Sequence, residues 1–287
     1  MSYQSILQPG AFDKRNIIVT GGGSGIGRCT AHELASLGAT VFLIGRNEEK
    51  LQTVKDEILA DGGHAVYFCC DIRQENDVKD LIDKIIDQYG PVDGLVNNAG
   101  GQFPAPLSKI SKNGWDAVIS TNLTGGFLMA REVFNQSMSK SGGSIVNIVA
   151  DMWGGMPGMG HSGAARAGMA NFTQTAAYEW GHAGVRVNAV APGWIASSGM
   201  DTYPDDFKVV LKSLKNAVPL GRLGNEAEIS STLCFLLSDA ASYISGTVIR
   251  VDGAASQGNT AIYPLKEADN LKPYKGFHRE VEPELFK

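Results

Sequence analysis

Eight residues, Thr20-Gly21-Gly22-Gly23-Ser24-Gly25-Ile26-Gly27, stand between a short apolar stretch, Asn16 to Val19, and a helix-like stretch from about Ile26 to Leu37 that Gly38 stops. Glycines in this spacing let the chain turn sharply out of a strand and begin a helix at once. The alternation then continues. Thr40 to Ile44, Ala65 to Cys69, Val92 to Val96, Ser144 to Val149, Val185 to Val190 and Val248 to Val251 are nearly continuous apolar runs. Helical patterns separate them, at Glu48–Ala60, Val78–Gln88, Trp115–Met138, Ser162–Trp180 and Ala227–Ser238. Strands without polar alternation are covered on both faces, so the pattern predicts an α/β fold, a doubly wound parallel sheet with helices on both sides. No repeat or low-complexity linker divides the chain. We expect one domain over residues 1–255, with a lid at about 194–218 after Pro192-Gly193. Residues 256–287, with Pro264, Pro273 and Pro283, read as an irregular tail.

The chain has 287 residues, long enough for a full core in one large domain. A net charge of −5 gives no reason to expect a nucleic-acid partner. Four cysteines, Cys29, Cys69, Cys70 and Cys234, lack metal-site spacing, so we expect buried, reduced thiols and no metal. No apolar run approaches the ~20 residues of a membrane span. Met1 to Gly10 has no signal pattern, and Glu284-Leu285-Phe286-Lys287 is not a Ser-Lys-Leu address. The expectation is a cytoplasmic protein with a small-molecule substrate.

A strand, a glycine loop and a helix start form the arrangement that holds a dinucleotide pyrophosphate, as in the Rossmann fold. Close backbone approach and the helix dipole then act on the phosphates. The expected contacts are Gly21, Gly23, Ser24, Gly25, Ile26 and Gly27. The second strand ends Ile44-Gly45-Arg46-Asn47, with no carboxylate for a ribose hydroxyl. Arg46 can instead pair with a 2′-phosphate, which favours NADP(H) over NAD(H). A solvated loop arginine is the other reading.

The glycine loop together with Asn97-Asn98-Ala99-Gly100 resembles the short-chain dehydrogenase/reductase family over about residues 12–255. The resemblance implies further cofactor positions. These are Asp71 and Ile72 at the adenine, Asn98, Ala99 and Gly100 beneath the ribose, and Pro192, Gly193 and Ile195 at the nicotinamide. It gives Gly246 and Val251-Asp252-Gly253 to the closing strand, with Asp252 structural. The family's usual catalytic set is an asparagine, a serine, a tyrosine and a lysine. Asn122 matches the asparagine; Val149, Ala150 or Asp151 stands at the serine; and the Tyr-x-x-x-Lys pair maps to His161 and Ala165.

An alanine cannot lower a pKa or hold a ribose. The run His161-Ser162-Gly163-Ala164-Ala165-Arg166-Ala167-Gly168 is similar to the branch of peroxisomal trans-2-enoyl-CoA reductases and 2,4-dienoyl-CoA reductases. That resemblance implies reduction of an activated double bond, with an acyl-CoA as a candidate substrate. His161 is the leading candidate acid, with Asn122 and Asp151 beside it in the catalytic set and Tyr203 of the lid as a further candidate. Arg166 reads as structural or interfacial. Two alternatives stay open: a carbonyl reductase using His161, and a silent dinucleotide-binding protein. Small residues along Trp115–Met138 and Ser162–Trp180 suit close helix packing, and the resemblance implies a homodimer or homotetramer through these helices.

Overall fold

Asn16–Thr20 (β1) lies at the middle of a seven-stranded parallel sheet, because its side chains are covered on both faces. In the computed structural model, which describes residues 2–258, 264–266 and 271–287, it pairs on one side with Thr40–Gly45 (β2) and on the other with Gly94–Asn97 (β4). His64–Cys69 (β3) lies outside β2. Gly143–Ile148 (β5), Val185–Pro192 (β6) and Val248–Val251 (β9) follow β4, giving the order β3-β2-β1-β4-β5-β6-β9. Ile195–Ala196 (β7) and Gly224–Asn225 (β8) form a separate small ribbon. The strand order reverses between β1 and β4, and the crevice at such a switch point is where ligands bind in open α/β sheets.

Two apolar layers sandwich this sheet. On one face Gly25–Ser36 (α1), Glu48–Ala60 (α2) and Glu226–Leu237 (α9) bury Leu34, Leu51, Ile58 and Leu233. On the other, Glu75–Tyr89 (α3), Gly125–Val133 (α5) and Gly160–Trp180 (α7) bury Ile82, Ile85, Met129 and Ala176. The helix expected over Trp115–Met138 is longer and interrupted. It runs from Lys112–Ile119 (α4) through a π-turn at Ser120–Thr124 into α5, then through a second π-turn at Phe134–Met138 into a last turn, Ser139–Ser141 (α6). The segment expected to act as a lid carries a turn at Ser198–Thr202 and a helix, Asp205–Ser213 (α8). Among the described residues no helix is long and apolar enough to cross a membrane.

Two readings change. Cys69 is exposed, since it ends β3 at the sheet edge, while Cys29, Cys70 and Cys234 are buried. Parts of the tail, residues 259–263 and 267–270, lie outside the described residues. Residues 271–287 are irregular in backbone yet fold back onto the helices. Phe277 is 3% exposed and packs on Tyr3 and His32, with the Arg28 guanidinium over its ring. Asp61 accepts hydrogen bonds from Arg279 and lies 2.9 Å from His278 Nε2. Gln4 N donates to Gly276 O, so both ends of the chain meet here.

A buried carboxylate explains why the first residues are ordered. Glu33, fully buried in α1, accepts hydrogen bonds from Tyr3 Oη, Ser5 Oγ and Ser230 Oγ. Burial raises its pKa, and these three donors pull it back. Two of the three come from before residue 6.

Candidate active site

The glycine loop is held so tightly that two of its glycines admit no side chain. Gly21 has φ +65°, and a Cβ on Gly27 would lie 2.3 Å from Gly21 O and 2.5 Å from Asn98 Nδ2. Asn98 Nδ2 donates to Thr20 O, and Thr20 Oγ1 accepts from both Asn98 N and Ala99 N. The ribose turn and the phosphate loop are thus one unit. Ser24 is the extended N-cap of α1, its hydroxyl caps nothing, and no acid stands in the first turn. The exposed N–H groups, the free hydroxyl and the helix dipole therefore face the place for a pyrophosphate.

Where the adenosine end of the cofactor is expected, a pocket is lined by Gly23, Arg46, Lys50, Asp71, Ile72 and Arg73, among others. Arg73 holds both oxygens of Asp71, at 2.8 Å from Nε and 2.5 Å from Nη2, and keeps that carboxyl below the usual range. Exposed Arg46 is fixed by no hydrogen bond or ion pair among the described residues. Lys50 and Arg73 were not foreseen; each lies within four residues of a foreseen one, a spacing that α2 and the loop after β3 bring to one wall.

Pro192 ends β6, and Gly193 N donates to Val251 O, placing this loop against the closing strand. Asp252 serves structure, accepting from Ala254 N, Ser256 N and Ser256 Oγ. Gly100, Gln102, Val149, Arg166, Pro192 and Tyr203 line the cleft beyond, together with Ile195 and Met200.

On α7 the expected catalytic positions do not face the cleft. His161 and Ala165 are fully buried; the His161 ring stands edge-on to Phe103 at 4.4 Å, and its Nε2 has no partner among the described residues. Neither lines the cleft, and neither does Asp151. One residue on from Ala165, about 100° round the helix, Arg166 lines it, while Ser162 is buried and reaches it only through Gln102. Arg166 Nη1 donates to Ile148 O at 2.6 Å, and a Cβ on Gly100 would lie 2.4 Å from Nη2. Arg166 thus makes the structural contact expected of it, and in addition its side chain lines the cleft. No carboxylate pairs with it among the described residues. Burial lowers its pKa to about 10, so it remains a cation at neutral pH.

A hydrogen-bond chain runs across the same cleft. Ser162 Oγ donates to Gln102 Oε1 at 2.7 Å, and Gln102 Nε2 donates to Tyr203 Oη at 2.9 Å. Asn122, at the π-turn, spends both ends of its amide on Gly101, accepting from its N–H and donating to its carbonyl. It fixes the loop that carries Gln102.

The glycine loop, the switch-point crevice and the helix facing it are shared with known proteins. Residues 21–256 match a family model described as enoyl-(acyl carrier protein) reductase. The chain is 40% identical over 244 residues to a probable 2,4-dienoyl-CoA reductase of Bacillus subtilis (strain 168), covering 84% of this chain and 96% of that one. The chain is a short-chain dehydrogenase/reductase. It is 36% identical over 241 residues to the 3-oxoacyl-(acyl-carrier-protein) reductase FabG of Staphylococcus epidermidis, covering 83% and 98% of the two chains. A solved citronellol catabolism dehydrogenase of Pseudomonas aeruginosa PAO1 is 61% identical, with TM-score 0.81, over 89% of this chain and all of that one. As a short-chain dehydrogenase/reductase the chain is an oxidoreductase built for a nicotinamide dinucleotide, and the loop at Gly21–Gly27 fits that cofactor. The family match ends at residue 256, before the folded-back segment.

Proposed function

We propose that this protein is an NADP(H)-dependent reductase of an activated carbon–carbon double bond, with an enoyl thioester such as an acyl-CoA as the substrate class. The observation that carries this reading is Arg166, a cation without an acidic partner, in a cleft that has no tyrosine–lysine pair. Bound NADPH supplies a hydride to the β-carbon. Arg166 then stabilises the negative charge that develops on the thioester oxygen. Tyr203 supplies the proton that C2 needs. Gln102 donates to the phenol oxygen, so the phenol's own hydrogen stays available, and Ser162 sets the orientation of the Gln102 amide. One hydride and one proton saturate the bond. Asn122 acts by holding Gly101, and His161 by packing under Phe103.

A cation and a phenol in one cleft also suit a ketone, whose oxygen would take the proton directly, and the FabG relative supports that second reading. Oxidation of NADPH measured against crotonyl-CoA, decenoyl-CoA and a ketone panel separates the two. Turnover of ketones alone would overturn the enoyl reading, and no turnover despite tight NADPH binding would favour a silent dinucleotide-binding protein. Assembly as a homodimer or homotetramer would use the outer faces of α4, α5 and α7, where Trp115, Phe127 and Tyr178 are exposed.

Arg46, Lys50 and Arg73 support the choice of NADP(H), since three cations surround one carboxylate at the adenosine end. Arg46→Ala should weaken NADPH binding roughly tenfold, the value of one charge-assisted contact, and leave NADH nearly unchanged. Equal losses in fluorescence titrations with both cofactors would refute the assignment.

Glu226 should make that binding depend on pH. Its carboxylate lies 3.9 Å from the position of a Cβ on Gly25, at the α1 N-terminus, and is largely buried. Burial raises its pKa to about 7, Arg28 opposes that and Glu280 adds to it. Cys29 of α1 is coupled to it, and Lys50 and Glu57 of α2 line the same pocket. A pyrophosphate would raise the pKa further, so binding takes up a proton. NADPH affinity should therefore be highest below about pH 7 and fall as pH rises through that value. Glu226→Gln should flatten the profile. An unchanged slope in the variant would show that another group carries it.

A further inference from the structure

Residues 271–287 lie beyond the family match yet reach the phosphate loop and the lid turn. Phe277 is the anchor, buried against α1, and Asp61 holds His278 and Arg279 just after it. Tyr274 is held at the start of α9, its carbonyl accepting from Asn225 Nδ2. From these fixed points the chain runs toward the glycine loop. Val281 forms one wall of a pocket whose other walls include Ser24 and Gly25 of the phosphate loop, Arg28 of α1 and Ser198 of the lid. The chain then crosses to the lid itself. Asp201, in the Ser198–Thr202 turn, accepts from Glu284 N at 3.2 Å and from Leu285 N at 3.1 Å. Those donors are the free N–H groups of a terminal 3₁₀ turn, Glu284–Phe286, which also packs on α8.

We infer that residues 277–287 are part of the dinucleotide site: they roof its phosphate end and fasten the lid across the cleft. The segment is tied to the rigid α1–α2 face at one end and to the lid at the other. A lid that opens for cofactor exit must break the Asp201 contacts, and the roof at Val281 must also be passed. The segment therefore slows dinucleotide release. A carboxylate accepting from two backbone N–H groups is worth more than a neutral pair, and all of its partners lie within four residues of Val281.

This inference rests on the dinucleotide reading, so its test separates the two. Release of NADPH is measured by stopped-flow fluorescence, displacing it with excess NADP⁺, in the full chain, in Asp201→Ala and in a chain ending at Glu280. Asp201→Ala should speed release about tenfold, the loss of one charge-assisted contact. The shortened chain should release at least as fast. Circular dichroism shows whether each variant is folded, and Asp201→Ala, at a half-buried turn position, keeps the test available if the shortened chain is not. Release at the parental rate from folded Asp201→Ala and from the shortened chain would overturn the inference. If the parental chain does not bind NADPH at all, the dinucleotide reading fails instead.

Discussion

Replacing Arg166 with alanine should lower turnover by roughly 10²–10³-fold, about 2.7–4 kcal/mol of transition-state stabilisation, as for the loss of one oxyanion donor. The guanidinium has no other task of comparable weight: among the described residues its one hydrogen bond is to Ile148 O. NADPH affinity should change far less, because the phosphate loop and the basic adenosine wall hold the cofactor. Arg166→Lys keeps a charge without the planar fork and should recover only part of the rate. His161→Ala is the contrast. It removes a buried ring beside Phe103, so its cost should fall on thermal stability and not on turnover. A turnover loss in His161→Ala equal to that in Arg166→Ala, in a folded protein, would return the histidine to the chemistry. Full activity in Arg166→Ala would remove the observation on which the enoyl reading stands.

Gly27→Ala should abolish measurable cofactor binding, raising Kd for NADPH by more than about 100-fold. The added methyl would overlap Gly21 O at 2.3 Å and Asn98 Nδ2 at 2.5 Å, both far inside contact distance. Neither neighbour can retreat cheaply. Gly21 already sits at φ +65°, and the Asn98 amide is committed to Thr20 O. Overpacking of this kind costs roughly 1–3 kcal/mol in stability alone, and the displaced loop loses its fit to a pyrophosphate as well. Near-normal affinity by fluorescence titration, with a native circular dichroism spectrum, would show that the loop yields and that its glycines are not required for approach.

The sheet was legible because parallel strands write their burial into unbroken apolar runs. Val248–Val251 matches from end to end, and β1 and β2 differ from expectation by one residue at one end. Trp115–Met138 read as one plain helix because a π-turn adds a residue to a turn without altering composition, so no periodicity marks it. Which residues of α7 reach the cleft was not legible for a related reason. Ala165 and Arg166 are neighbours on the helix, and only the depth and rotation at which the helix seats on the sheet bring Arg166 and not Ala165 to the cleft. One signal was available: Arg166 is the charged residue of this otherwise small and apolar helix start. Arg73 was missed because its importance comes from Asp71, two residues away, which it grips. The folded-back segment was missed because a single aromatic anchor, Phe277, leaves no periodic trace in a proline-bearing stretch.

The meeting of Gln4 with Gly276 also orders events in time. A ribosome delivers the phosphate loop early, yet α1 then lacks α9, which supplies Ser230 to Glu33, and lacks Phe277 above Arg28. At ~5–20 residues per second the interval before those residues emerge is on the order of tens of seconds. During it a carboxylate meant for the interior must stay in water, and α1 can close its packing only when nearly the whole chain is present. Contacts of such long sequence separation slow folding. The part of this protein that looks most self-sufficient on paper is therefore among the last to become native.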